Sequence, residues 1–224
     1  MTRNRPPETA PLALESEWWS AAAPGARLAG VDEAGRGPLA GPVVAGAVSM
    51  QPETARELRD GALAGLTDSK KLQESRREAL FEALTSAPGV SWAAGEASPE
   101  EIDRINILRA THLAMRRALS ALPGGCPDFA FVDGLPVAGL PCPHKAVVKG
   151  DAKSFLVAAA SIVAKTLRDR AMRALDAQYP GYGFAEHKGY PVPDHLAALK
   201  RLGPCPAHRR SFGPVRDVLN PPML

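Results

Sequence analysis

A long helix with an apolar first half is the feature that most restricts how this chain can fold. Residues 154–177 carry the periodicity of a helix, and their first part, FLVAAASIVA, is apolar on nearly every side. The second part is polar on one side only. We therefore expect the helix to begin in the interior of the protein and to emerge at its surface.

Short apolar segments predict the sheet that this helix would cover. The predicted strands are residues 27–32, 41–48, 89–94, 129–133 and 146–149. The first two flank a short Gly/Pro segment, as in a hairpin. Capping boxes at Ser75–Glu78 and Ser98–Glu101 predict two more helices, and residues 194–202 a last one. This order of elements indicates an α/β fold in which helices pack on a mixed sheet.

The composition is that of a globular protein. Of the 224 residues, 45% are hydrophobic and 23% are charged, and no apolar stretch approaches the ~20 residues that span a bilayer. The N-terminus lacks a charged-then-apolar signal pattern, so we expect a cytoplasmic protein with no membrane partner. Cys126, Cys142 and Cys205 form no C-x-x-C pair, which favours reduced thiols over disulfides or a zinc site.

The basic residues are concentrated towards the C-terminus. The net charge of +3 permits an acidic partner without requiring one. Residues 187–216 carry six Lys or Arg against one acid, Asp194, so this segment is able to face phosphates. A solvated basic surface is the alternative, and charge alone favours it.

Four acidic residues stand where apolar strands end or where the buried helix begins. Asp32 and Glu33 end the first strand, Asp133 ends the FAFVD strand, and Asp151 precedes the long helix. A carboxylate in such a place is costly to desolvate unless it is paired, hydrogen-bonded or bound to a metal ion. Converging carboxylates repel one another, and a pair of divalent cations resolves that repulsion. Oxygen-only ligands favour Mg²⁺ or Mn²⁺ over zinc, and two such ions serve phosphodiester hydrolysis.

Each of these acids also has a simpler explanation. An Asp at a strand end often caps a turn, and Asp151 is a candidate N-cap of the long helix. The adjacent pair Asp32 and Glu33 is the stronger signal for a metal site. Because neighbours in a strand point to opposite faces, we expect Asp32 to point into the site and Glu33 to reach it from the start of the turn.

Eight motifs occur in a fixed order along the chain. They are GVDEAGRGPLAGPVVAGAV (30–48), TDSKKL (67–72), INILRAT (105–111), FVDG (131–134), KGDAKS (149–154), AASIVAKTLRDR (159–170), HKGY (187–190) and HRRSF (208–212). Together they resemble bacterial ribonuclease HII, the type 2 ribonuclease H family, over roughly residues 27–214. The resemblance implies a ribonuclease H-like mixed β-sheet flanked by helices, with a small C-terminal helical segment.

The resemblance also implies a divalent-metal-dependent endoribonuclease. Its four carboxylates, which are both catalytic residues and metal ligands, fall on Asp32, Glu33, Asp133 and Asp151, and its cofactors are two Mg²⁺ or Mn²⁺ ions. Its substrates are RNA/DNA hybrids, of which it cleaves the RNA strand, and DNA containing ribonucleotides. It nicks such DNA 5′ to a single embedded ribonucleotide, leaving a 3′-hydroxyl and a 5′-phosphate, which starts ribonucleotide removal from the genome. We expect the protein to act as a monomer.

Gly35, Arg36 and Gly37 are placed to read a junction between RNA and DNA. An enzyme that cuts beside one ribonucleotide must detect one 2′-hydroxyl next to its metal site. Glycines let the backbone approach a sugar closely, and the arginine fork suits a phosphate. The resemblance implies the same role and pairs this segment with Tyr190, whose ring packs on the deoxyribose after the ribonucleotide. The alternatives are a plain turn for the three residues and a core or surface aromatic for Tyr190.

Further substrate contacts are expected from polar residues near the site. They are Ser69, Lys70, Lys71, Asn106, Lys149, Lys165 and Arg168, with Arg209 and Arg210 closing the basic tail. Lys165 and Arg168 have an alternative as ion-pair partners of Asp169. Phosphate contacts of this kind position a duplex without reading its sequence. For His187 and His208 we expect hydrogen-bonding roles, since a two-metal site generates its own nucleophile.

The chain is expected to divide into three parts. They are a flexible N-terminal extension (1–25) with a helical turn near residues 15–22, a ribonuclease H-like catalytic core (26–185) and a C-terminal helical segment (186–224) that completes the substrate cleft. Other classes fit the motifs less well. A DNA-cutting nuclease or transposase has no need of Gly-Arg-Gly and Tyr190, and a non-enzymatic module would have lost carboxylates. Another type of ribonuclease H would require several consecutive ribonucleotides. The Gly-rich segment also lacks the P-loop and dinucleotide-binding spacings.

Overall fold

The sheet of the predicted α/β fold is present, and it is mixed. The structure is a computed structural model that describes residues 8–220. The strands are β1 (Leu28–Ala34), β2 (Val43–Met50), β3 (Val90–Ala97), β4 (Phe129–Asp133) and β5 (His144–Val147). They lie side by side in the order β3-β2-β1-β4-β5. β1 pairs with β2, and β2 with β3, in antiparallel fashion, whereas β1, β4 and β5 run parallel. The predicted hairpin is therefore confirmed.

Helices cover both faces of this sheet. The helices of the described residues are α1 (Ala13–Ala21), α2 (Pro52–Asp60), α3 (Glu74–Ser86), α4 (Pro99–Ser120), α5 (Phe155–Gln178), α6 (Phe184–His187), α7 (Pro193–Leu202) and α8 (Gly213–Leu219), with 3₁₀ turns at Ser69–Lys71 and Gly150–Ala152. Of these, α4 and α5 lie on opposite faces of the sheet. The helices α2, α6 and α8 were not predicted. α2 buries only Ala55, and the other two span four and seven residues, so each lacks a repeated apolar face that a sequence pattern would reveal.

The long helix α5 is buried on one face of the sheet, as its apolar first half predicts. Side chains Phe155 to Ala164 are all buried, and exposure begins in the turns that follow. Gly30 of β1 permits this contact, since a Cβ at that position would lie 2.1 Å from the carbonyl carbon of Leu156. α4 packs on the opposite face against alternate residues of the same strands.

Only one of the two predicted capping boxes forms. Ser98 Oγ accepts a hydrogen bond from the Glu101 backbone N–H, and the Glu101 carboxylate accepts one from the Ser98 N–H. The box at Ser75–Glu78 is wrong, because α3 already begins at Glu74. The Glu78 carboxylate instead accepts hydrogen bonds from two arginines of α5, Arg170 and Arg173.

The N-terminal segment is more ordered than the predicted flexible extension. Residues 13–21 form α1, and the Glu15 side chain is completely buried. Its carboxylate accepts hydrogen bonds from the Ser154 hydroxyl and, at 3.0 Å, from the Leu156 backbone N–H at the start of α5. A carboxylate is well placed there, at the positive end of a long helix. The remainder of the predicted extension, residues 1–7, and the last four residues of the C-terminal segment lie outside the described residues.

Two further expectations concern the surface and the thiols. Across residues 8–220, no helix is both long enough and apolar enough to cross a membrane. The cysteines Cys126, Cys142 and Cys205 are all free thiols, as the absence of a C-x-x-C pair predicts.

Candidate active site

Two of the four predicted carboxylates lie side by side on neighbouring parallel strands. Val31 of β1 is in register with Val132 of β4, so the next residues, Asp32 and Asp133, adjoin at the carboxyl ends of both strands. Their alternation places both on the face of the sheet that α5 covers. The sheet thus fixes their spacing.

Asp151 joins this pair from the turn between β5 and α5. It lies in the 3₁₀ turn Gly150–Ala152, whose Gly150 N–H donates a hydrogen bond of 2.6 Å to Asp133 Oδ1. The alternative interpretation of Asp151 as the helix N-cap is wrong, because Ser154 Oγ caps α5 by accepting from the Val157 N–H. Asp151 is therefore available for another role.

Glu33 reaches the same region as Asp32. It lies inside β1, one residue before the strand ends, instead of in the turn that we expected. Asp32 and Glu33 both line a cleft of about 630 Å³, and Arg36 Nη1 lies 3.4 Å from Glu33 Oε1. We call Asp32, Glu33, Asp133 and Asp151 the acidic edge.

The electrostatics of the acidic edge show an excess of negative charge. Burial raises the pKa of Asp32 well above its ordinary value, and the charges of Glu33, Asp133 and Asp151 raise it further. Burial also raises the pKa of Glu33, against the opposing effect of Arg36. For Asp151 the pKa is raised by burial and then by neighbouring acids, of which Asp133 is one. The nearby cations Arg36 and Lys70 offset only part of this negative charge.

Lys70 is one protein cation close to this edge. Burial acts to lower its pKa, but Asp32, Asp68 and Asp151 outweigh burial and raise it. The ammonium is therefore firmly charged at neutral pH. One such group does not balance four carboxylates.

The acidic edge fits divalent cations in charge and in donor chemistry. Its donors are carboxylate oxygens alone, which Mg²⁺ and Mn²⁺ prefer, and Asp32 is 6% exposed without a cationic partner of its own. Among residues 8–220, no three Asp, Glu, His or Cys side chains converge as closely as the ligands of a single ion. The four residues therefore match a divalent metal ion in donor type and in charge. Their side chains are not as close together as the ligands of one ion.

The loop that follows β1, residues 35–41, carries the Gly-Arg-Gly segment, and we call it the glycine-arginine loop. Gly35 has φ +96°, and a Cβ there would lie 1.9 Å from Arg168 Nε. Its lack of a side chain is needed for the backbone conformation and for packing against Arg168. The sequence argument, in which Gly35 is bare in order to admit a sugar, does not account for this contact.

Arg209 holds this loop from beneath. It is completely buried, and its guanidinium donates hydrogen bonds to the carbonyl oxygens of Gly35 at 2.6 Å, Arg36 at 2.9 Å and Gly41 at 2.9 and 3.0 Å. The prediction that Arg209 contacts phosphates is wrong, because all of its donors face the protein interior. Arg210, next to it, is exposed.

Arg168 is likewise a structural residue. It lines the cleft but is only 1% exposed, and its guanidinium donates to the carbonyl oxygens of Ala40, Pro42 and Lys188. These bonds connect the glycine-arginine loop with the segment that carries Tyr190. Arg168 is therefore not free for a phosphate and does not pair with Asp169.

Gly37 and Tyr190 adjoin in the lining of the cleft. A Cβ on Gly37 would lie 3.6 Å from Tyr190 Cε1, and both residues line the cleft together with Arg36. The Leu39 N–H donates a 2.8 Å hydrogen bond to the Gly189 carbonyl oxygen, which ties their two loops together. Tyr190 is 42% exposed, so its ring is a surface aromatic held in place by a bonded loop.

The other predicted contacts separate into two groups. Ser69, Lys70 and Lys165 line the cleft, although Lys165 Nζ also forms a 2.7 Å ion pair with Asp169. Outside the cleft lining lie Lys71, Asn106 and Lys149, all three of them exposed. Asn106 has φ +67° at a kink in α4, and its side-chain oxygen accepts a hydrogen bond from the Arg109 N–H, so it caps the second half of the helix.

Sequence reasoning missed several residues that shape the site. Arg77 contributes a buried 2.9 Å ion pair to Asp169, and Asp68 adds negative charge beside Asp151. His195 is buried and bonds to the loop of Tyr190. No local pattern marks these residues, because Arg77 and Asp169 are 92 residues apart and His195 bonds to a backbone carbonyl oxygen, which no side-chain pattern reveals. His187 and His208 do form hydrogen bonds, as predicted.

A ribonuclease H-like sheet whose carboxylates meet at the ends of β1 and β4, beside a cleft with exposed basic groups, defines a class of metal-dependent phosphodiester hydrolases. The comparisons with known proteins agree. The family model described as Ribonuclease HII matches residues 29–215. A ribonuclease HII from Nitrosococcus oceani is 54% identical over 195 residues, covering 87% of this chain and 92% of that protein.

Two further likenesses are similar in extent. A ribonuclease HII from Ruegeria pomeroyi is 56% identical over 194 residues, covering 86% of this chain and 79% of that protein. The crystal structure of the ribonuclease H2 from Pyrococcus horikoshii OT3 matches with a TM-score of 0.73 and 32% identity, covering 86% of this chain and 96% of that one. The chain belongs to the ribonuclease HII family. It is a nuclease of the ribonuclease H type, and its family depends on divalent metal ions.

Proposed function

We propose that the protein cleaves the RNA strand of RNA/DNA hybrids and also nicks DNA on the 5′ side of a single embedded ribonucleotide. The products are a 3′-hydroxyl and a 5′-phosphate, and the reaction starts ribonucleotide removal from genomic DNA. The observation that carries this proposal is the cleft itself, in which Gly37 and Tyr190 adjoin beside Asp32 and Glu33.

The two sides of that cleft suit the two sides of an RNA–DNA junction. Arg36, with half of its side chain exposed, offers a guanidinium fork to a phosphate. Backbone groups at residues 35–37 recognise the 2′-hydroxyl that marks RNA. The Tyr190 ring packs against the next sugar, where a deoxyribose fits and an additional 2′-oxygen does not. A hydroxyl is thus required on one side of the scissile phosphate and disfavoured on the other.

The acidic edge is the proposed catalytic centre. Asp32, Glu33, Asp133 and Asp151 would hold Mg²⁺ or Mn²⁺, and the repulsion among the carboxylates supports this assignment. When bound, a pair of such ions activates the attacking water and stabilises the departing 3′-oxygen. Asp133 keeps its orientation through the Gly150 N–H, which leaves its second oxygen for a ligand.

The basic residues around the cleft hold the duplex. Lys70 stays charged and faces the acidic edge, so it is suited to a phosphate next to the scissile one. Ser69 and Lys165 line the same cleft and are proposed as further contacts. Lys71, Asn106 and Lys149 would contact the duplex only outside the cleft.

We also propose the setting in which the protein works. Its catalytic core comprises residues 26–185, and residues 186–224 complete the cleft by supplying Tyr190. We propose that it acts as a monomer. Because the proposed substrate is chromosomal DNA, we propose that the protein acts in the cytoplasm.

The test is cleavage of a DNA duplex that carries one ribonucleotide, with Mg²⁺, with Mn²⁺ and with EDTA. An all-DNA duplex of the same sequence is the matched control. We expect a metal-dependent nick 5′ to the ribonucleotide, with a 3′ end that a DNA polymerase extends directly. If the duplex with a single ribonucleotide is left intact while long hybrids are cut, the proposal that Arg36 and Tyr190 recognise the RNA–DNA junction is wrong.

A further inference from the structure

Three histidines lie together beneath the loop of Tyr190, and the proposed chemistry uses none of them. His195 and His208 are buried, and the rings of His187 and His195 stack with centroids 4.5 Å apart. Phe184 packs against all three rings, and Tyr182 against His208. The hydrogen bonds of the two buried rings, His195 and His208, must therefore be satisfied within the protein.

The contacts of His195 determine which of its nitrogens carries the proton. His195 Nδ1 lies 2.9 Å from the carbonyl oxygen of Tyr190. A carbonyl only accepts, so Nδ1 must be the donor. In a neutral ring Nε2 is then an acceptor.

His208 supplies the matching donor. Its Nε2 lies 3.1 Å from His195 Nε2, so it must carry a proton to avoid two facing lone pairs. His208 Nδ1 is then the acceptor, and it receives the Cys205 backbone N–H at 3.1 Å, with the Cys205 sulfur at 3.2 Å. Every nitrogen of the two rings has one partner of the right kind.

These bonds form a chain with a single direction. It runs from the Cys205 N–H to His208, from His208 to His195, and from His195 to the Tyr190 carbonyl oxygen; we call it the histidine chain. His187 stands beside it with its own fixed tautomer, since Nδ1 accepts from the Gly189 N–H and Nε2 donates to the Tyr182 carbonyl oxygen. The two residues of the loop, Gly189 and Tyr190, are therefore each held by a histidine.

We propose that His195 and His208 are positioning residues for substrate recognition, which hold the backbone of Tyr190 so that its ring meets the sugar beyond the ribonucleotide. This inference rests on the proposed role of Tyr190. His195 is not itself part of the acidic edge or of the cleft lining, and it reaches the cleft through its hydrogen bond to the Tyr190 backbone, so it acts through the loop. The specificity of the enzyme then depends on a hydrogen-bond chain that contacts no substrate.

The neutral state that this chain requires agrees with the surroundings of the rings. Burial lowers the pKa of His195, and burial together with His195 lowers the pKa of His208 to about 4. Burial also raises the pKa of the Cys205 thiol, so the thiol keeps its proton. A charged His195 would place two donors face to face at the Nε2–Nε2 contact, and a charged His208 would make its Nδ1 a donor facing the Cys205 N–H.

The first test reads the tautomers directly, in the full-length protein with ¹⁵N-labelled histidine at pH 7.5. Long-range ¹⁵N–¹H correlation spectra distinguish the three states of an imidazole ring. We expect His195 in the Nδ1–H form, and His187 and His208 in the Nε2–H form. If His195 were in the Nε2–H form or charged, the proposed histidine chain would be wrong, independently of which substrates the enzyme cleaves.

The second test uses two replacements of His195 that differ in which bond they keep. The amide nitrogen of Asn stands near the place of Nδ1, so His195→Asn retains a donor to Tyr190. In His195→Gln the amide stands near Nε2, so the bond to His208 is kept and the donor to Tyr190 is lost. The readout is the ratio of kcat/KM on a duplex with one ribonucleotide to kcat/KM on a uniform RNA/DNA hybrid. His144→Gln, on the edge strand β5, is the matched control.

We expect His195→Gln to lower this ratio by about three- to tenfold, the effect of one hydrogen bond, and to act mainly through KM for the single ribonucleotide. His195→Asn and His144→Gln should stay within about twofold of the wild-type ratio. Equal ratios in His195→Gln and the wild type, with Tyr190→Ala lowering the ratio, would overturn the inference and leave the proposed function standing. If the wild type itself does not nick at one ribonucleotide, the proposed function fails, and the tautomer test still decides the chain.

Discussion

The acidic edge and the C-terminal side of the cleft differ in how far their charges are compensated within the protein. At the acidic edge, burial and mutual repulsion raise the pKa of Asp32, and positive charge is scarce. On the C-terminal side, Arg168, Arg209 and the histidine chain have a partner for each group that they bury. The first region has an excess of negative charge, and the second pairs its charged and polar groups within the protein. The difference separates the residues proposed to hold a cation from the residues that hold the loops of the cleft in position.

The largest expected effect comes from the acidic edge. Asp133→Asn or Asp151→Asn should reduce cleavage by about a thousandfold or more, because each removes a charge that a divalent cation requires. Substrate binding should persist, since the phosphate contacts lie elsewhere. Single-turnover cleavage and a binding assay with the same duplex measure the two properties. Asp60→Asn, at an exposed position of α2, is the control, and full cleavage by both site variants would refute the assignment.

Asp32→Asn tests the excess of negative charge at the acidic edge through stability as well as through activity. Because burial and its acidic neighbours disfavour its charged form, Asp32→Asn should raise the thermal midpoint of the protein in EDTA while abolishing cleavage. For a residue proposed to be catalytic, stabilisation of the fold on its removal is expected only where the native site lacks a counter-charge. A lower midpoint in EDTA would contradict the repulsion inferred here.

Next in size is the effect of removing a buried arginine. Arg209→Met should lower the free energy of unfolding by about 3–5 kcal/mol, since several carbonyl oxygens lose their donor. Arg209→Lys should recover little of this, because an ammonium does not reproduce the fork. The exposed neighbour variant Arg210→Ala should stay within about 0.5 kcal/mol of the wild type. Urea unfolding curves measure the free energies of unfolding of the three variants. If Arg209→Lys were as stable as the wild type, the carbonyl contacts would not explain Arg209, and a phosphate contact would again be expected of it.

The histidine chain should make stability depend on pH. The pKa of His208 is lowered to about 4 in the folded protein, against about 6.5 when unfolded. The unfolded chain therefore binds more protons between these values. This contribution to stability, up to about 3 kcal/mol, is complete above pH 6.5 and is lost as the pH falls towards 4.

Comparison with His208→Gln isolates that contribution from those of the carboxylates. The titratable groups that face His208 are His195, His187, Tyr182 and Cys205. Unfolding free energies of the two proteins at intervals between pH 4 and pH 8 should differ in slope below pH 6.5 and run parallel above it. Parallel curves throughout would show that His208 is not held neutral.

A smaller effect is expected at the N-terminal helix. Glu15→Ala should lower the free energy of unfolding by about 1–2 kcal/mol, because the Ser154 hydroxyl and the Leu156 N–H lose their acceptor. Glu17→Ala, two residues away and exposed, is the control. Thermal unfolding of both variants is sufficient to compare them. Equal midpoints would mean that α1 adds nothing to the start of α5.

The sequence predicted the positions of Asp32 and Asp133 near the ends of apolar strands because these signals are local. Such a strand end can be recognised without knowing its neighbours. The buried first half of α5 was predicted for the same reason. The mixed sheet followed from the order of these elements and from the motifs of the family.

The structural roles of the arginines could not be predicted in this way. Arg168 and Arg209 stand in basic segments, where a phosphate contact is the natural expectation, and only the fold shows that their partners are carbonyl oxygens, most of them more than a hundred residues away. His195 carries no local signal, because its tautomer depends on partners at residues 190 and 208. Glu15 was assigned to a loose tail because its partner, Ser154 at the start of α5, lies 139 residues further along the chain.

The division of work between the two regions is tested most directly by comparing Asp151→Asn with Tyr190→Ala on two substrates. One substrate carries a single ribonucleotide in DNA, and the other is a uniform RNA/DNA hybrid of the same sequence. Asp151→Asn should lower kcat/KM on both by a similar, large factor, whereas Tyr190→Ala should lower it mainly on the single ribonucleotide. Equal losses on both substrates for Tyr190→Ala would show that the C-terminal side of the cleft does not read the junction.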